Sequence, residues 1–187
     1  MNNLTFYIIL GVVGLVVLIF IGIYNGLIRR RNRAEEAWSD IEVQLKRRYD
    51  LIPNVVETVR GYMAHEREVF EKVTQARTRA MGAQTAPDHA QAENILAGTL
   101  KTLFAVAENY PDLKANANFL DLQRELADTE NKIQAARRFY NGNVRDLNTL
   151  IESFPSNIVA GMFGFKQKEF FDLDDNSPAQ ETVQVRF

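Results

Sequence analysis

The sequence predicts an all-α protein, with an N-terminal transmembrane helix followed by an elongated antiparallel helical bundle. Three observations carry that prediction. Residues 6–28 form an apolar run without a charged side chain. Beyond it, apolar residues recur every three or four positions over stretches far longer than strands. Only five prolines and ten glycines occur in 187 residues, and Gly11, Gly14, Gly22 and Gly26 fall inside the apolar run, so the remainder has few helix breakers.

As a helix, residues 6–28 would be about 35 Å long, enough for a hydrocarbon core of about 30 Å. A cleaved signal peptide is not expected, because the leader Met1-Asn2-Asn3-Leu4-Thr5 has no Lys or Arg and the apolar run is too long. Arg29, Arg30, Arg31 and Arg33 follow at once. Since basic residues stay on the cytoplasmic side, residues 1–5 are expected outside and residues 29–187 in the cytoplasm of a single-pass inner-membrane protein. Gly22 and Gly26 form a GxxxG pair with Asn25 beside them, a candidate dimer face. Glycine is also simply common in membrane helices, and the two readings weigh about equally.

From Trp38 the beat runs Trp38, Ile41, Leu45, Ile52, Val55, Val59, Tyr62, Glu66, Phe70, Val73, Arg77, in steps of three or four with one full heptad from 45 to 52. It keeps phase through Pro53, so Pro53 is expected to kink one helix from about 34 to 83 and to remove the backbone bond to Tyr49. A fold-back at that point, giving a four-helix up-and-down bundle, is the alternative. Gly82 to Pro87 reads as a stop, with Pro87 in the first turn of a second helix over about 88–109. Tyr110-Pro111 breaks that helix and Asn116 caps a third. The third carries the cleanest heptad, from Phe119 and Leu122 through Ile133 and Tyr140 to Leu147 and Ile151, and ends at Phe154-Pro155. The bundle domain is thus expected over 29–165, and a polar tail over 166–187. The tail holds an acidic linker at Asp172 to Asp175 and a strand-like end at Val183 to Phe187. Phe163, Phe165, Phe170 and Phe171 are expected to cap the bundle end, with a lipid-inserting or partner-binding patch as the alternative.

Three such helices leave the membrane-proximal seam of the first one, Trp38, Ile41, Leu45 and Ile52, without a partner from its own chain. An exposed apolar seam implies an interface. Together with Gly22, Asn25 and Gly26 it predicts a homo-oligomer.

Composition removes several function classes. With no cysteine, disulfides, thiolate metal sites and cysteine nucleophiles are excluded. A net charge of −2 with interspersed signs is not the footprint of a nucleic-acid binder. Neither His65 nor His89 has Glu three residues earlier, so a di-iron carboxylate site lacks its motif, and both are expected to face solvent. GxxxxGK[ST] and GxSxG are absent. No catalytic residue, metal or cofactor is therefore assigned. What remains is polar: Gln123, Glu130, Arg137, Asn141, Arg145 and Asn148 form one stripe on the third helix, and Arg48 and Asp50 lie near Pro53. Their plainer role is to fix helix register through interhelical pairs. Their functional role would be a groove, formed by Arg48, Asp50, Gln123, Glu130, Arg137 and Asn141, that grips a partner.

These residues resemble the LemA family of bacterial membrane-anchored proteins. The likeness rests on Ala37-Trp38, on Arg48-Tyr49-Asp50-Leu51-Ile52-Pro53-Asn54 and on Tyr110-Pro111-Asp112-Leu113-Lys114-Ala115-Asn116. It continues in Thr129-Glu130-Asn131, Ala136-Arg137-Arg138, Tyr140-Asn141 and Phe154-Pro155-Ser156-Asn157. It implies a membrane helix followed by an antiparallel bundle, and a role in envelope processes such as magnetosome membrane formation, but no reaction. The expected function is a membrane-anchored scaffold that self-associates and organises the membrane, with lipid and its own copies as partners. The alternative is a regulatory adaptor that presents a membrane-protein partner, such as a peptidase, through the polar groove.

Overall fold

A computed structural model describes residues 3–63 and 65–171. Those residues form α1 (Asn3–Arg60), α2 (Arg67–Met81), α3 (Ala86–Ala107), α4 (Pro111–Lys114), α5 (Ala117–Glu152) and α6 (Ser156–Met162), with no strand among them. The expected acidic linker and strand-like end fall outside the described residues.

α1 runs unbroken from the apolar segment through Pro53. Proline has no N–H, so the carbonyl of Tyr49 loses its intrahelical donor. Arg77 of α2 supplies the replacement, its Nε donating to the Tyr49 carbonyl at 2.7 Å. The first helix was expected to continue to about residue 83, and here the structure corrects the sequence reading. The chain turns at Arg60-Gly61, a basic last turn followed by glycine, where Tyr62 and Met63 both donate backbone bonds to Val59. α2 then returns beside α1, placing Phe70 under the Arg60 guanidinium at 5.9 Å. The apolar beat survives this reversal because Phe70, Val73, Ala76 and Ala80 of α2 face the same core that α1 faces.

The remaining boundaries follow local chemistry. Thr85 caps α3 by accepting from the Asp88 amide at 3.2 Å, with proline in the first turn. Asn116 caps α5 by accepting from the Phe119 amide at 3.0 Å. α1, α2, α3 and α5 therefore form an up-down-up-down bundle, in which α1 pairs with α5 and α2 with α3. This is the alternative four-helix topology, with the reversal eight residues beyond Pro53.

That topology corrects the exposed-seam expectation. Ala34, Ala37, Ile41, Leu45 and Ile52 are all buried within the single chain, and Trp38 is half-buried. Lengths nonetheless matter. The hairpin of α2 and α3 spans about 22 and 33 Å, against about 54 Å for α5, and it stops near the level of Trp38, where His89 meets the indole. Below it, α6 and an extended strap (residues 166–171) cover the part of α1 nearer the membrane. Ile41, Leu45 and Ile52 therefore face the helices of the bundle, and Trp38 faces the chain's own strap.

Along α1, the most apolar 18-residue stretch is covered by no other described residue, as a membrane-spanning segment requires. Gly22 and Asn25 are exposed, whereas a Cβ added to Gly26 would meet Leu150 of α5 at 3.9 Å.

Candidate functional site

Two polar assemblies lie on α5, and they divide the residues expected to form one groove. The first is internal. Arg48 sits in the apolar beat of α1 between Leu45 and Ile52 and is 4% exposed. One of its Nη atoms reaches Glu93 of α3 at 2.9 Å and Glu130 of α5 at 3.0 Å, and the Tyr49 hydroxyl donates to the other Glu93 oxygen. Burial is the main influence on Glu93 and raises its carboxyl above the ordinary value, opposed chiefly by Arg48 and the Tyr49 bond. Tyr49 is raised too, first by burial and then by the Glu93 charge. A buried cation touching carboxylates on two other helices fixes the mutual register of α1, α3 and α5.

The second assembly is a groove between α1 and α5, and the strap occupies it. Asn141 donates its Nδ2 to the carbonyl of Phe171 and accepts from the Phe171 amide, both at 2.9 Å. Seven residues on, Asn148 repeats the clasp with Lys168, donating to its carbonyl at 2.9 Å and accepting from its amide at 3.0 Å. Two turns of helix advance about 10 Å and three extended residues advance about 10 Å, so the two clasps match an extended backbone. Tyr140 adds a bond from its hydroxyl to the Glu169 carbonyl at 2.9 Å. Since all five bonds are to main chain, they fix backbone course without selecting side chains.

Side-chain selection comes at the two ends of this segment. Phe171 is fully buried, with the Trp38 ring at 5.9 Å and the Arg137 guanidinium over its face at 4.8 Å. Trp38 also meets Tyr140 at 5.3 Å and donates to Glu42 at 2.7 Å. Lys168 reaches Glu35 of α1 at 3.5 Å. His89 closes the aromatic box from α3. Expected in solvent, it is half-buried instead, and burial holds its imidazole below the ordinary value. His65 is exposed as expected.

Of the six residues expected to line a polar groove, Arg137 and Asn141 do so. Arg48 and Glu130 belong to the internal cluster. Asp50 is exposed on α1, and Gln123 lies about 27 Å before Asn141 along α5. Trp38, expected at a subunit interface, is instead a wall of the groove. Ile41, Leu45 and Ile52, expected there with it, are core. Glu93 went unrecognised although its position in the beat with Leu96, Leu100 and Leu103 marks it as a core carboxylate. The aromatic set also divides: Phe171 is buried and Phe165 half-buried, while Phe163 and Phe170 remain exposed. Among the described residues, no group of three or more metal-ligating side chains comes together.

A family model described as "LemA family" matches residues 37–187, which includes every residue of both assemblies except Glu35. The chain is 30% identical to Protein LemA of Metamycoplasma hominis, with 79% of this chain and 68% of that protein aligned. It is 24% identical to Magnetosome protein MamQ 2 of Paramagnetospirillum magneticum and 23% identical to Magnetosome protein MamQ of Magnetospirillum gryphiswaldense. In each case 85% of this chain and 67% of the relative are covered. None of these names is that of an enzyme.

Proposed function

This chain belongs to the LemA family, and from that premise we propose that it is a non-catalytic adaptor of the inner membrane, whose cytoplasmic bundle grips an extended segment of a membrane-protein partner in the α1–α5 groove. The observation that carries this reading is the paired clasp of Asn141 and Asn148, a device for holding main chain of any sequence. In the chain by itself the groove holds residues 168–171, so a partner segment competes with the strap. The buried Phe171 pocket sets what the incoming segment must offer, an aromatic residue three positions beyond its first clasped residue. The apolar N-terminal helix and relatives named as magnetosome proteins agree with a membrane setting. Self-association through Trp38, Ile41, Leu45 and Ile52 has lost its basis, because the chain covers those residues itself.

Photo-crosslinking in growing cells tests the adaptor reading. Arg145 lies on the clasp stripe and is exposed, so a photoreactive residue there reports on the groove without disturbing the core. The expected result is an adduct with a second membrane protein, lost on adding Asn141→Ala and Asn148→Ala while the protein level in the membrane is unchanged. Adducts within the chain alone contradict the reading, and adducts with a second copy replace it with self-association.

A further inference from the structure

We propose that the bend after α5, together with α6, forms an apolar foot that inserts into the cytoplasmic leaflet beside the anchor. The inference rests on the membrane anchoring of α1 and not on the adaptor reading. Ser153 to Phe165 contain no charged residue. Within this stretch α6 has two apolar sides. One, with Val159 and Ala160, is buried against Leu27 and Leu147. The other is open: Ile158 is 49% exposed and Met162 67%, one turn apart on the same side, with Phe154 at 80% and Phe163 at 56% extending it. Four large apolar side chains held outward on a well-packed scaffold form a contiguous patch that requires an apolar neighbour.

The level of the foot identifies that neighbour as lipid. A hydrocarbon core of about 30 Å beginning at Phe6 reaches about Gly26 along α1. The rings of Phe163 and Phe165 pack on Tyr24 at 4.7 and 5.9 Å, and Phe20 and Ile23 pack against the cluster that holds Val159 and Ala160 of α6. All three α1 residues lie short of Gly26. The foot is therefore pinned at or inside the boundary of the hydrocarbon, continuous with the uncovered apolar surface of α1. Cations stand at headgroup height. Lys166 follows the foot directly, Arg31 lies over Phe165 at 5.7 Å, and Arg29 and Arg33 are exposed elsewhere around α1. Apolar side chains beneath a basic collar are the arrangement of an interfacial anchor on an anionic leaflet. Two carboxylates lie on the approach: Glu152 accepts from Gln167 at 2.6 Å, and Asp146 is paired with Arg30.

The absence of cysteine makes single nitroxide labels unique to their site. The full-length chain in bilayer nanodiscs of phosphatidylcholine and phosphatidylglycerol would carry a label at Ile158→Cys or Met162→Cys. Leu15→Cys serves as the lipid reference and Asp121→Cys, exposed at the far end of the bundle, as the aqueous one. Collision rates with oxygen and with a nickel chelate give depth. The foot predicts that labels at 158 and 162 favour oxygen, like Leu15 but closer to the interface. Chelate access equal to that at Asp121, with Leu15 still in lipid, overturns the foot and leaves the anchor standing. Shielding from both reagents would mean burial against protein and overturns it as well. An aqueous Leu15 removes the anchor and the foot together.

Discussion

Replacing Arg48 with methionine should destabilise the bundle by about 3–5 kcal/mol, because it leaves Glu93 and Glu130 buried side by side without their shared cation. The loss should depend on pH. Without Arg48 the folded-state pKa of Glu93, already above its ordinary 4.5, rises further. A carboxyl with a raised folded pKa weakens the fold as pH climbs above the unfolded value, and the penalty disappears when both states are protonated. Arg48→Met should therefore be far less damaging near pH 5 than near pH 8. Adding Glu93→Gln should recover part of the loss at pH 8, since the less buried Glu130 then carries the only unpaired charge. Urea denaturation of the full chain in detergent, followed by the fluorescence of the single Trp38 and by circular dichroism, reads each value. A pH-independent loss, or no recovery with Glu93→Gln, would show that the cluster is not electrostatically coupled.

Arg77→Met should cost about 1.5–3 kcal/mol, the penalty for stripping a charged donor from a carbonyl with no helical partner. The cause lies on another helix, in Pro53. Pro53→Ala returns an N–H to position 53 and lets α1 satisfy its own Tyr49 carbonyl. That substitution alone should stabilise by up to about 2 kcal/mol, the helix-interior penalty of proline less the entropy regained by the unfolded chain. In the Pro53→Ala background Arg77→Met should then cost little. A coupling above about 1 kcal/mol in the double-mutant cycle is the expected signature. Equal costs of Arg77→Met in both backgrounds would mean that the contact across the hairpin is incidental.

The same contact shows where the sequence was legible and where it was not. The orphaned Tyr49 carbonyl could be read from Pro53 alone, but its donor could not, because a periodicity that stays in phase through a turn conceals the turn. Arg60-Gly61 was the available signal, outweighed by apolar residues on either side. Arg48 and Glu93 were visible as gaps in an otherwise apolar beat, at the 45 to 52 step and just before Leu96. Two charges at core positions of different helices specify each other, yet spacing within one helix does not reveal a partner on another. The uncovered seam was a sound inference only for its membrane-proximal edge at Trp38, since the hairpin of α2 and α3 covers Ile41, Leu45 and Ile52 and stops there. Its occupant was missed because residues 166–171 have neither helical nor strand periodicity, and a strap held by main-chain bonds leaves no pattern in its own side chains. The mark is instead on the receiving helix, in two asparagines seven residues apart.

That pair supports the central claim: the polar stripe of α5 holds an extended backbone. Site-resolved hydrogen exchange on the full-length chain in nanodiscs tests it most directly. The amides of Lys168 and Phe171 should exchange slowly in the wild type. With Asn141→Ala and Asn148→Ala they should speed up by at least about tenfold, from the loss of bonds contributing about 1 kcal/mol each, while Ile133 in the core of α5 keeps its protection. Rapid exchange at Lys168 and Phe171 in the wild type, or protection that survives the double substitution, would contradict it.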